Sequence, residues 1–443
     1  MRIFLLKNKV FWICIIFWIL ITLIRLFNHQ PWADEALAWS IVKYLQFGSI
    51  LDSLKYEGYF FVWYLILLPF AKLNLWYPYS MLIMNWLFCF GAICIMWIYA
   101  PFNNWLKAFI TFSFPFLAYY SVVARCYSIG ILLLFILCCL YKDKLKHPII
   151  YSIIIFFCAN TSIIALFGSF AFGILLLFDL FRNKQFKDLK ICLSIVILEI
   201  IAFIVQTIKV QTTNITEKMA EGMHFGQIFN LFPFPHIINI ILLIFFICGF
   251  LYCLLKDKKT LFFISLTYCC MFYLFRFWYA GDFWHHYFFY IYLICACWMI
   301  LYSENITENT KKMIIILLCS VSLIYIFGKN YEPRVYSSQS KVIAEYMKTK
   351  QNNCLILKHP FFVAALPYLK EKNFDIVVKM KIKEPYTIDE IKEYMNSYKT
   401  NYIFFYKDLK ENIDGQDYKN LKFILDKNIA GVFYIYKIEI IKN

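Results

Sequence analysis

Charge is scarce in this chain. Lys, Arg, Asp and Glu make up 16% of its 443 residues, against about a quarter in an ordinary globular protein. Glycine (13) and proline (12) are few as well. Collagen needs glycine at every third position, and disordered tracts need low hydrophobicity, so both are excluded. A long coiled coil is excluded by the same composition. What is plentiful is apolar: 62% of the residues, with 48 Phe and 33 Tyr among them. A water-soluble domain of this size cannot hide so much apolar surface, because most of its chain must face water. Lipid is the solvent this composition demands.

Several motifs are also missing. There is no CxxC, no GxGxxG and no P-loop, so neither a cysteine metal site nor a nucleotide cradle is expected. Of 16 Cys, 15 fall in residues 1–328, where they read as small hydrophobes. Cys354 alone lies beyond, so that region has no internal disulfide. The charges divide the chain at the same point. Residues 1–328 carry 24 Lys+Arg and 14 Asp+Glu, whereas residues 329–443 carry 20 and 14 in a third of the length. The first region reads as a membrane module and the second as a small α/β domain. In the latter, strands are expected at 354–357, 375–380, 402–406 and 432–438. Helices are expected at 338–350, at 362–369, and after the capping box Thr387-Ile-Asp-Glu390.

A hydrocarbon core about 30 Å thick needs roughly 20 helical residues. Apolar runs near that length start around residues 10, 77, 105, 126, 148, 161, 188, 236, 260, 286 and 313, which predicts eleven spans. The run 59–73 is shorter and contains Pro69, and is expected to be an interfacial or re-entrant helix. With a cytoplasmic N-terminus, the inside loops hold 16 of the 24 cations, among them Lys142, Lys144, Lys146, Arg182, Lys184, Lys256, Lys258 and Lys259. The net charge of +16 therefore reads as a positive-inside pattern and not as a nucleic-acid stripe. The first run is too long for a signal peptide and no small-x-small site follows it, so a retained anchor is expected. The expected fold is a polytopic α-helical membrane protein of about 11 transmembrane helices. It lies in the inner cell membrane with an extracytoplasmic α/β C-terminal domain.

In so apolar a chain the informative residues are the ionisable ones near span ends. Asp34 and Glu35 follow the first span, at the start of an amphipathic helix read as 36–45. One reading is a helix cap with a first-turn acid; another is a general base at the membrane surface. Glu57 and Tyr59 precede the short apolar run in the same outer loop, about 28–76. Arg125 and Tyr127 begin the fourth span, and an outer-side arginine suits an anionic headgroup. Arg276, His285 and His286 flank the loop before the tenth span. Adjacent histidines on a helix point about 100° apart, so hydrogen bonding to a phosphate or sugar fits them better than a metal. Asn160-Thr-Ser reads as helix punctuation, Asp179 as structural, and Glu199 as inward structure or a lone functional acid.

Together these motifs resemble the polyprenyl-phosphate-sugar-dependent glycosyltransferases of the membrane GT-C class. The likeness is greatest to the bacterial branch related to dolichyl-phosphate-mannose protein mannosyltransferases, glycosyltransferase family 39. The resemblance covers essentially the whole chain. It rests on Asp34-Glu35, Glu57-Gly58, Ala124-Arg125-Cys126-Tyr127 and His285-His286, in that order and on one side. Where the family often reads Glu-Gly-His-Pro, this chain has Tyr59 and Phe60 in place of the last two. The resemblance implies Asp34 as the catalytic base, with Glu35 beside it. It implies donor phosphate and sugar contacts from Glu57, Tyr59, Arg125, Tyr127, Arg276, His285 and His286. The donor would be a polyprenyl-phosphate-linked sugar, and the acceptor a protein, a polysaccharide or a lipid-linked glycan. No cofactor is called for. A divalent cation is not required, although Asp34, Glu35 and Glu57 could hold one. The main alternative is a polytopic lipid or solute transporter or flippase, for which Glu199 speaks. A glycan polymerase or ligase is a third, disfavoured because the loop around Arg276–His286 is short.

Overall fold

The computed structural model describes residues 8–44, 60–207, 236–278, 281–304 and 306–327. Beyond these it describes 342, 344–346, 368, 392 and four strands. The described residues are mostly helical. The helices are α1 (Lys9–Asn28), α2 (Ala33–Tyr44), α3 (Phe61–Lys72), α4 (Tyr79–Tyr99), α5 (Asn104–Phe112) and α6 (Tyr127–Leu140). There follow α7 (Pro148–Ala159), α8 (Ile163–Arg182), α9 (Phe186–Thr207), α10 (His236–Leu254), α11 (Lys258–Phe277), α12 (Phe283–Leu301) and α13 (Glu308–Phe327). Among the described residues six helices are long and apolar enough to cross a membrane: α1, α4, α8, α11, α12 and α13.

Three of the expected spans form shorter helices. At a rise of about 1.5 Å per residue, nine, 14 and 12 residues in α5, α6 and α7 reach only ~14–21 Å. Pro115 follows the end of α5 and opens a single π-turn, Pro115–Tyr119. α6 runs into a 3₁₀ turn at Tyr141–Asp143. α7 starts at Pro148 and stops at the Asn160-Thr-Ser turn, where the Ser162 hydroxyl caps α8.

The chain divides into two compact units. The larger comprises residues 1–28, 46–70 and 79–331. Its contacts define two ends. At one end Lys107 donates to the Trp97 carbonyl at 2.8 Å, Tyr302 to the Tyr99 carbonyl at 3.0 Å, and Lys142 lies 4.4 Å over the Tyr302 ring. Asp179 accepts from Lys144 and Lys259 at 3.0 and 2.6 Å. At the other end Phe27 meets Tyr79, Asn85 donates to the Tyr120 carbonyl at 2.9 Å, and the Tyr120 hydroxyl reaches the Trp284 carbonyl at 2.9 Å. Successive helices from α4 to α9 therefore alternate in direction.

α3 does not follow that alternation. The Phe60, Phe61 and Val62 amides donate to the Thr161 carbonyl, Gln206 Oε1 and the Asn160 carbonyl at 3.2, 3.0 and 3.2 Å. Gln206 also donates to Asn160 Oδ1 at 2.9 Å. Orphan amides at a helix start need acceptors, and here two come from the α7–α8 turn and one from α9. α3 starts at the end where α4 also starts, which agrees with a short helix that does not cross.

The smaller unit comprises residues 29–45, 71–78 and 332–443. Its described strands are β1 (Cys354–Ile356), β2 (Tyr402–Tyr406), β3 (Leu421–Ile429) and β4 (Phe433–Ile440), in the order β1-β2-β4-β3. β1 and β2 are parallel, and the other pairs antiparallel. Three of the four expected strands appear. The strand expected at 375–380 and most of the expected helices lie outside the described residues. β3 was not expected, since Lys422, Asp426, Lys427 and Asn428 break its apolar pattern.

Two packing points in the larger unit are testable. A Cβ on Gly168 would lie 2.8 Å from Leu134 and closer still to Tyr292, so α6, α8 and α12 meet there only because the side chain is absent. Gly168→Ala is expected to cost about 1–3 kcal/mol. Gly173→Ala, whose new carbon meets nothing nearer than 3.9 Å, is expected to be harmless. Burial holds the Lys144 ammonium below its ordinary pKa while Asp179 pulls it upward. Asp179→Ala strands that buried charge and is expected to cost about 3–5 kcal/mol. Lys259→Met removes a partner 37% exposed and is expected to cost under about 1 kcal/mol. Thermal unfolding in detergent ranks all four variants.

Candidate functional site

The acidic pair after α1 divides its work. α2 begins at Ala33, and the Ala36 amide donates to the Trp32 carbonyl at 3.0 Å. Trp32 therefore occupies the cap position, yet its side chain carries no acceptor. Glu35, three residues on, supplies an acceptor for a different group, the backbone amide of Trp32 itself. Its carboxylate accepts from the Trp32 amide at 2.6 Å and from His29 Nε2 at 2.8 Å. A Glu reaching back to the cap amide is half of a capping box. Glu35 is 0% exposed.

Asp34 sits one position earlier in the same first turn and is exposed. The reading of Asp34 as the cap, with the helix starting at 36, is therefore corrected. Glu35 satisfies the amide, so the helix starts three residues earlier. Asp34 is left as an exposed carboxylate in the field of the helix start. Pairing Glu35 with Asp34 in catalysis loses ground for the same reason: its carboxylate is buried and committed to His29 and Trp32.

The rest of the smaller unit supports α2. Trp39 packs on Tyr77 at 5.1 Å and Tyr77 on Tyr368 at 5.2 Å. Burial first, then Tyr368 and Glu35, push the Tyr77 hydroxyl well above its ordinary pKa, so it stays an uncharged phenol. Lys43 donates to Asn74 at 3.1 Å. Glu57 and Tyr59 lie outside the described residues.

In the larger unit, Arg125, Tyr127 and His285 come together where α6 and α12 begin. Arg125 is 3% exposed, which sets aside a snorkelling arginine. The rings of Tyr127 and His285 stand edge to face at 5.6 Å, and Arg125 acts electrostatically on His285. The Asp282 amide donates to His285 Nδ1 at 2.9 Å. Nδ1 is thus the acceptor, and in the neutral ring Nε2 carries the proton. His286 points elsewhere, 4.8 Å from the Phe275 ring, as adjacent helical positions must. The turn that launches α12 uses Gly281 at φ +69, where a side chain would also strike Phe275. Arg276 is exposed in the last turn of α11, 5.8 Å from the Phe277 ring, and the structure does not bring it to Arg125. An arginine there suits the negative end of its own helix.

Sequence reasoning overlooked three supporting residues. His29 lies six positions from Glu35, a spacing with no helical meaning. Tyr120 orders the cluster from below: its carbonyl accepts from Asn85 and Ser128, and its hydroxyl reaches Trp284. Gln206 closes α9 on Asn160. Among the described residues no three His, Cys, Asp or Glu gather as a metal set. Chemically, the larger unit offers a buried guanidinium beside an imidazole, which suits an anionic oxygen. The smaller unit offers an exposed carboxylate, which suits proton abstraction.

Glu35→Ala is expected to reduce hydrogen-exchange protection at the start of α2 by about 1 kcal/mol. Asp34→Ala is expected to leave it nearly unchanged. Equal protection in both variants would remove the capping role. The sequence matches no protein-family model and no curated protein, so the likeness to the GT-C class rests on the residues themselves.

Proposed function

We propose that the chain is a membrane glycosyltransferase. It moves a sugar from a polyprenyl-phosphate donor to an acceptor hydroxyl on the extracytoplasmic side, with inversion and with Asp34 as general base. The observation that carries this reading is Asp34 itself: an exposed carboxylate in the first turn of a helix whose start is held by the buried Glu35. A base needs access to its proton and a fixed backbone, and Asp34 has both.

In this reading the eleven apolar runs each cross the bilayer. The end rich in Lys107, Lys142, Lys144 and Lys259 is cytoplasmic, and residues 329–443 are an extracytoplasmic α/β domain. The alternation of helix directions supports the count, even though α5, α6 and α7 are short. The acceptor oxygen attacks the anomeric carbon as Asp34 takes its proton, and the bond from that carbon to the lipid phosphate breaks. The departing phosphate gains negative charge. Arg125 and the Nε2 proton of His285 are suited to that charge. Because the displacement is single, no glycosyl-enzyme intermediate and no second carboxylate are needed. This agrees with a Glu35 committed to structure.

A transporter would want Glu199 paired with a cation along a path through the helices. Among the described residues Glu199 has no such partner, which weighs against that reading.

Membranes holding the protein, incubated with radiolabelled polyprenyl-phosphate sugars, are expected to transfer label to an acceptor fraction. Asp34→Asn is expected to cut transfer by about 10²–10⁴-fold with insertion unchanged. Near-native transfer by that variant removes Asp34 as the base. Absence of transfer by the wild-type protein from any polyprenyl-phosphate sugar removes the function.

A further inference from the structure

α9 turns one narrow polar stripe toward the protein. Cys192, Glu199 and Gln206 are spaced by seven residues, about two helical turns, so they share a face. All three are buried. Past Ser194, the outward surface of α9 is apolar, as the exposed Ile197, Leu198, Ile201, Ile204 and Val205 show. The stripe therefore faces α7 and α8, the helices packed on α9, and the rest faces lipid.

Two members of the stripe have partners. Cys192 lies against Ser152 of α7, and Gln206 holds Asn160 and the Phe61 amide. Glu199, between them, is 4% exposed and among the described residues has no hydrogen-bond or ion-pair partner. The titratable group that faces it from α7 is the Cys158 thiol. From α8 the charged groups are Asp179, which is taken up by Lys144 and Lys259, and Arg182, which is exposed in the last turn. No cation on either helix answers Glu199.

An ionised carboxylate out of water and without a counter-charge is far too costly to persist, so the group must carry its proton. We propose that Glu199 is a neutral carboxylic acid set within the helical unit and a covalent modification site for apolar carbodiimides. The chemistry is an addition. The carboxyl oxygen bonds to the central carbon of the carbodiimide, and the acid proton moves to one of its nitrogens, giving an O-acylisourea. In a buried site that offers no amine, the acyl group then migrates from oxygen to nitrogen. The product is a stable N-acylurea that retains every atom of the reagent. Surface carboxylates such as Asp143, which pairs with Lys146 in an exposed loop, are ionised at neutral pH and out of reach of a lipid-dissolved reagent. This inference does not depend on the transferase reading.

The test uses the full chain in membranes at neutral pH. Dicyclohexylcarbodiimide, which partitions into lipid, is compared with a water-soluble carbodiimide, and the label is located by peptide mass spectrometry. The expected result is a full reagent mass added at Glu199 by the apolar reagent and no addition there by the soluble one. Glu199→Gln is expected to lose the label and to keep the monodispersity and thermal stability of the native protein, because a glutamine resembles the neutral acid in shape and polarity. Failure of Glu199 to react in folded native protein, or equal reaction with both reagents, overturns the proposal. A large loss of stability in Glu199→Gln also overturns it, since that would reveal a charge with a counter-ion.

Discussion

A helical unit dissolved in lipid has no solvent to rescue a stray polar group, and the fold depends on that constraint. Its polar side chains are few, and the buried ones bond a carbonyl one turn back, as Thr111 and Thr267 do, or tie helices together. Asp179 joins the 3₁₀ turn after α6 to the start of α11 by taking Lys144 and Lys259. Asn160 and Gln206 join the α7–α8 turn, the end of α9 and the start of α3. These ties lie at opposite ends of the unit. Between them the helices pack through aromatic rings and through close approaches such as that at Gly168. The weight carried by each tie follows from the low dielectric around it, which makes an unpaired charge or amide expensive.

The same rule shapes the candidate residues of each unit. At the start of α2 a tryptophan occupies the cap position, and its own backbone amide needs an acceptor. Glu35 supplies it and becomes buried against His29. Two neighbouring acids thereby acquire opposite fates, one structural and one exposed. In the larger unit Arg125 is buried beside Tyr127 and His285, and Tyr120 orders the backbone around them through bonds to Asn85, Ser128 and Trp284. Here too the polar residues at a helix start are divided, since His285 turns inward and His286 packs on Phe275.

Much of this is legible in the sequence. The membrane class followed from composition, and α1, α4 and α8 begin within a few residues of where their apolar runs do. Burial of a helix in lipid leaves a long uninterrupted signal of that kind. The shortness of α5 and α6 was not legible, because Pro115 and the Lys142–Lys146 cluster interrupt runs whose mean hydropathy stays high. A window of 20 residues averages over such breaks, whereas the backbone cannot. The strands β2 and β4 were visible as short runs rich in Ile, Phe and Tyr. β3 was not, because charges at Lys422, Asp426 and Lys427 mask it and only its pairing with β4 makes it a strand.

The sequence by itself determined the apolar character and the helical class, because these depend on composition and on the run length of apolar residues. It also singled out Asp34, Glu35, Arg125, Tyr127 and His285 as polar residues with no reason to be in lipid. Only the tertiary structure decided what each of them does. Whether an acid caps a helix or stands exposed depends on which backbone amide lacks an acceptor, and the answer at Glu35 involves His29 and Trp32 in three dimensions. Whether an arginine snorkels or lies buried depends on which helices cross beside it. Burial and partnership belong to pairs of residues far apart in the chain, and no local pattern encodes them.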